Sequence, residues 1–140
     1  LQQASAMRAL AAVLLAVAAL AGAPSHARAQ ADFLLGDWQQ LSSNAGLCPT
    51  CQISFSQSGG ALTVTANNGW SARVGERPRS GVVAASGSGG WQAGGGRLAG
   101  KTFDIDLELR GDRIYMSMRI DTGGRPWIVR AIYGRAWLGS

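Results

Sequence analysis

Cys48 and Cys51, the only two cysteines of the 140-residue chain, stand as Cys48-Pro49-Thr50-Cys51. Two residues between thiols is the spacing of a dithiol redox pair, whose reactive thiolate is held at a helix N-terminus. Here the pair leads instead into Cys51–Gln57, an alternating stretch that predicts a strand. Gln52 stands where covalent haem attachment needs a histidine. A structural zinc site takes four ligands, and the sole histidine, His26, lies far upstream in a targeting segment. What remains is a Cys48–Cys51 disulfide formed in an oxidising compartment, pinning the entry to that strand.

Two further groups could do chemistry. Asp104, Asp106 and Glu108 are candidate paired carboxylates or a calcium site. They alternate along one stretch and lack the glycine and loop spacing of a calcium-binding hand. A solvated sheet face, with Arg119 opposite Asp104, accounts for them. Gly87–Gly100 carries seven glycines around Trp91 and suggests a phosphate cradle. It lacks the Gly-Lys-Ser/Thr ending and the helix that such a cradle opens, so it predicts a short strand at Trp91 between flexible loops. No nucleophile–base pair emerges. The chain is expected to be no enzyme, with no catalytic residue, metal or cofactor.

The elements that position these groups begin after a targeting segment. Arg8, the apolar run Ala9–Ala23 and the cleavage pattern Ala27-Arg28-Ala29 predict a signal peptide over residues 1–29. Met7 is the expected start and Gln30 the expected mature N-terminus. The run is shorter than the roughly 20 apolar residues of a spanning helix. The expected product is periplasmic or secreted, without a membrane span after cleavage. The net charge of +5 at pH 7 falls to +3 without Arg8 and Arg28. Such a spread charge suits a soluble surface and excludes a nucleic-acid footprint. Residues 30–140 suit a single domain with its own core.

Within that domain, Lys101–Ile120 sets the pattern. Phe103, Ile105, Leu107 and Leu109 alternate with charged residues, and Ile114, Met116, Met118 and Ile120 resume the alternation after Gly111-Asp112. A two-residue turn pairs Leu107 with Met116 and Ile105 with Met118, all on one face. A one-residue slip would set apolar side chains against charges, so the register is specified. Gly59-Gly60 likewise sets Phe55 opposite Val64. A three-residue loop at Asn67-Asn68-Gly69 sets Ala72 opposite Val64. Gly81–Ser86 predicts a short strand and Trp127–Tyr133 a last one. Short strands with tight turns predict an all-β, antiparallel up-and-down meander, closing into a small barrel of about eight strands. Its inward set is Trp38, Phe55, Trp70, Phe103, Met116 and Met118, the candidate residues for binding a small apolar or amphipathic ligand. On the last strand Trp127, Val129, Ala131 and Tyr133 share one face. Ile128, Arg130 and Ile132 share the other and are the candidate surface for an envelope-protein partner.

Gly36-Asp37-Trp38 on the first strand, the meander and a late-strand arginine resemble the calycin-type barrels, lipocalin-like proteins in particular. That resemblance implies Trp38 at the barrel base beneath Arg130 or Arg135. Gly100-Lys101-Thr102-Phe103 through Tyr115, with Trp137, is similar to the bacterial secreted domain of unknown function numbered 2147. Small-barrel bacterial metalloprotease inhibitors are similar in type, but carry a wider disulfide loop. These resemblances imply a secreted binder of a small ligand or of a protein, such as a protease.

The cysteine pair generates a first prediction. Protein taken directly from the periplasm should carry an intramolecular Cys48–Cys51 bond, seen as resistance to alkylation until a reductant is added. Replacing both by serine should lower the melting temperature modestly and leave the fold intact. The short loop contributes less than the roughly 3 kcal/mol of a 15-residue one. Two freely alkylated thiols would overturn the structural role.

Overall fold

Alternation of apolar and polar residues is what drives this chain into sheet, because each strand can bury one face only by joining others. The structure, a computed structural model, describes residues 32–77, 81–94 and 96–136. The expected signal peptide, its cleavage site, His26 and Trp137 lie outside the described residues. Eight strands follow one another: β1 (Gly36–Ser43), β2 (Gln52–Ser58), β3 (Ala61–Ala66), β4 (Trp70–Glu76), β5 (Val83–Trp91), β6 (Thr102–Arg110), β7 (Arg113–Ile120) and β8 (Trp127–Arg135). A 3-10 turn at Gly96–Leu98 lies between β5 and β6. Each strand pairs antiparallel with its successor and β8 returns to β1, so the sheet is a closed up-and-down barrel. The fold is calycin-like in architecture.

The expected registers hold. β6 and β7 pair Leu107 with Met116, Ile105 with Met118 and Asp104 with Arg119. Gly111 has φ 61° and Asp112 a negative φ, the combination of a type II′ turn. Phe55 lies opposite Val64 and Val64 opposite Ala72. Both outcomes follow from turn chemistry, which fixes the pairing and with it the buried face.

Apolar side chains fill the interior. Trp38, Ile53, Val64, Val74, Ile105, Leu107 and Met118 are all but sealed from solvent. Among the described residues no polar or charged residue is buried, and the charges of β6 and β7 point outward. This is the inverse of a membrane-spanning barrel, which turns an apolar band toward lipid. Among the described residues no helix is long and apolar enough to cross a membrane. Outside, Arg77 pairs with Asp106 at 2.8 Å and Arg110 with Glu108 at 2.9 Å. Asp104 and Arg119 are in register, yet no ion pair joins them among the described residues; at this exposed position water competes for both charges.

The glycine run departs from expectation. Before Trp91 it is no loop: β5 runs unbroken from Val83 to Trp91, while the stretch after Trp91 is the expected loop, with a 3-10 turn in it. Gly87 lies between Val74 and Ile105, and Gly89 between Ala72 and Phe103. A Cβ on Gly87 would stand 1.9 Å from the Arg73 carbonyl oxygen, and one on Gly89 2.0 Å from that of Ser71. The β4 backbone therefore closes on β5 where a side chain would sit, and only glycine admits it. Propensity reads glycine as a loop; the close approach makes it a requirement of the strand.

Gly87→Ala should accordingly lower stability by at least about 1–3 kcal/mol, the usual cost of overpacking, visible as a lower urea midpoint. Gly94, with nothing within 4 Å of its added Cβ, should tolerate alanine to within about 0.5 kcal/mol. Equal midpoints for the two variants would refute the close-approach account.

Candidate functional site

The two ends of the barrel differ. One end gathers the β2–β3, β4–β5 and β6–β7 connections with both termini of the barrel, and is plugged. Leu34, fully buried, and Trp38 close it. The Trp38 indole donates to the Leu34 carbonyl at 2.9 Å. Arg135 stacks on the Trp38 ring at 4.0 Å and donates to the carbonyls of Phe33 and Leu35. Its Nη1 lies 3.1 Å from where a Cβ of Gly36 would be, and Gly36 has φ +106°. Of the two expected arginines, Arg135 is therefore the one over Trp38. Arg130 faces outward.

The other end gathers the β1–β2, β3–β4, β5–β6 and β7–β8 connections and opens into a cavity of about 370 Å³. Its walls are Trp70 at the start of β4, Trp91 at the end of β5, Trp127, Ala131 and Tyr133 of β8, and Met116 and Met118 of β7. Phe103 sets two of these walls. Its ring meets Trp70 edge-on at 5.5 Å and Trp91 at 5.1 Å, geometries that suit the aromatic quadrupole. Trp127 is 45% exposed at the rim. Gln40 and Ser43 line the same cavity because β1 carries a bulge between Gln40 and Ser42. The extra residue, Leu41, resets the alternation so that residues three apart both face in. Arg97, on the 3-10 turn, and Asn68 complete the mouth. Burial pushes the Tyr133 phenol up to about 12, and its hydroxyl makes no hydrogen bond among the described residues.

The β1–β2 connection beside this mouth is held by the Cys48–Cys51 disulfide, with Cα atoms 5.3 Å apart. Gln39 donates to the Pro49 and Cys51 carbonyls. Asn67 accepts from the Gln52 amide and donates to the Thr50 carbonyl. The cysteines thus sit in a tied loop, with no helix N-terminus at hand to stabilise a thiolate. Among the described residues no group of three or more His, Cys, Asp or Glu could hold a metal ion.

A larger hollow, about 500 Å³, lies along the outer face. Arg77, Asp106, Glu108, Arg110, Tyr115, Arg130 and Ile132 border it. Its wall sets the Arg77–Asp106 and Arg110–Glu108 pairs and Arg130 beside apolar Ala84, Ala85, Leu107, Met116, Ala131 and Ile132, and Arg110 also stacks over Tyr115 at 4.4 Å. Volume alone does not favour it, because ligand sites carry few charged groups: this hollow has five charged lining residues where the barrel mouth has one.

The inward candidates therefore divide. Trp70, Met116 and Met118 line the cavity; Trp38 and Phe55 are packed in the core away from it, and Phe103 props its aromatic wall. Arg130 and Ile132 border the outer hollow, while half-buried Ile128 does not. Sequence reasoning missed Trp91, hidden in the glycine run; Gln40, a polar residue two after inward Trp38; and Ser43, hidden by the bulge. Arg97 carried no periodic signal. Trp127 and Tyr133 were visible as one face of β8, but nothing in that strand shows which face turns toward the lumen.

The raised Tyr133 value has a sign. The phenol stays protonated longer in the folded chain than in the unfolded one, whose value is near 10. Its neutral state is thus no handicap below about pH 10, and stability is lost as pH rises from there through about 12. Tyr133→Phe should flatten that alkaline loss and remove the highest-pH step of tyrosinate absorbance. An unchanged titration would place the phenol in contact with bulk water.

Comparison with family models, with curated proteins and with solved structures finds no match to this chain.

Proposed function

We propose that this protein is a periplasmic or secreted, non-catalytic barrel of lipocalin-like type that binds a small apolar or amphipathic ligand at its open end. The observation that carries this reading is the cavity of about 370 Å³ walled by tryptophan, tyrosine and methionine. Its volume falls within the roughly 300–1,000 Å³ of small-molecule pockets. The ionisable groups among its lining residues are Tyr133 and Arg97, which make no nucleophile–base pair. The stack of Arg135 on Trp38 supports the likeness to lipocalin-like barrels, as does the closed meander. Nothing in the geometry singles out the secreted domain of unknown function.

A second reading is a protein-binding module, such as a small-barrel protease inhibitor or an envelope partner. The hollow beside Arg130 and Ile132 favours it. Binding there would have to desolvate the Arg77–Asp106 and Arg110–Glu108 pairs, a cost that burial of the apolar residues around them must offset.

Phenylnaphthylamine, a neutral apolar dye, should bind the purified protein with a rise in fluorescence. Val129→Phe, which fills the cavity from β8 and does not line the outer hollow, should weaken that binding by about tenfold or more while near-ultraviolet circular dichroism confirms the fold. Dye binding that ignores the Val129 substitution, or no binding at all, would overturn the cavity reading. Retention of a periplasmic protein that is lost with Ile132→Asp would favour the second reading instead.

A further inference from the structure

Resting on that cavity reading, we infer that the ligand is an organic anion: a flat apolar body of one or two rings, with its acid group at the mouth on Arg97. The walls specify the body. Trp70 and Trp91 are braced by Phe103 at 5.5 and 5.1 Å, so they are rigid planes. Met116 and Met118 are deformable fillers beneath them. A cavity of about 370 Å³ lies at the small end for ligand sites and suits a compact ring system better than a long chain.

The charges specify the head. Several tryptophans around a cavity are also the arrangement that cages a cation. Among the described residues no carboxylate lines this one, and the sole charged lining residue is Arg97, which repels a cation. Of the other described arginines, Arg77 is engaged with Asp106, Arg110 with Glu108, and Arg135 with Trp38 and two carbonyls; Arg97 is the one that lines the mouth. Arg97 has neither an ion pair nor a side-chain hydrogen bond among the described residues. The same end of the barrel carries Lys101 and Arg125 against Asp121, a net positive rim that draws anions toward the mouth. Gln40, Ser43 and Asn68 add neutral polar groups to the lining. They can orient an acid group and cannot neutralise one.

A matched pair of dyes tests this. Anilinonaphthalene sulfonate and phenylnaphthylamine share one aromatic skeleton and differ by a sulfonate. At low salt the native protein should bind the sulfonate about tenfold tighter, the scale of one charge-assisted hydrogen bond. Arg97→Gln should abolish the difference and leave the neutral dye unchanged, and Arg97→Lys should restore part of it. Raised salt should weaken the anionic dye only. Val129→Phe should weaken both, which shows that both occupy the cavity, since Val129 lines the mouth and not the outer hollow. If the neutral dye binds and the sulfonate binds no tighter, or if Arg97→Gln leaves the sulfonate's advantage intact, the anion inference fails while the cavity stands. If neither dye binds, the cavity reading falls and takes this inference with it.

Discussion

The seam between β1 and β8 is the constraint on which the rest of this barrel depends. An open eight-stranded meander would leave two rows of unpaired backbone groups and expose its apolar face. Pairing Trp38 with Arg135, Gln39 with Gly134 and Gln40 with Tyr133 removes both edges. The Ala136 amide extends the seam by donating to the Asp37 carbonyl at 3.1 Å. Arg135 bonds the turn before β1 while lying on the Trp38 ring, so the first and last strands are tied through one side chain. Its charge is not stranded there: carbonyl oxygens accept from the guanidinium and the indole face receives it, which offsets partial burial.

Closing the seam makes the ends unequal. The chain enters and leaves the barrel at the same end, so Leu34, Trp38 and Arg135 can all plug that end. The opposite end has only connections to cover it. Of these, the β1–β2 loop is fixed by its disulfide and by Gln39 and Asn67. The β5–β6 loop supplies the 3-10 turn with Arg97. The cavity is what this asymmetry leaves, and its shape is set by details of two strands. Glycines on β5 let β4 approach and clear space beside Phe103, and the β1 bulge turns Ser43 inward behind Gln40.

Much of this was legible because antiparallel sheet couples local pattern to global placement. Phe103 to Ile120 announces its register through strict alternation, and the turns at Gly59-Gly60, Asn67–Gly69 and Gly111-Asp112 announce theirs through glycine placement. Trp38, Phe55, Trp70, Phe103, Met116 and Met118 are inward, as their alternation required. Trp91 was not legible as a wall residue. A glycine at alternate positions contributes no apolar signal, and its role appears only when the neighbouring backbone is in place. The bulge at Leu41 was equally hidden, since one extra residue in β1 is defined only against β8.

The sequence by itself determined the all-β class, the strand pairing of each hairpin, the buried face and the short-range cysteine pair, because these follow from period, turn chemistry and chain proximity. Only the tertiary structure decided which arginine covers Trp38, which inward residues pack as core and which line a cavity, and which end is open. Those outcomes depend on residues a hundred positions apart meeting across the seam, as Arg135 meets Leu35. No local pattern encodes the space left between side chains once the barrel has closed.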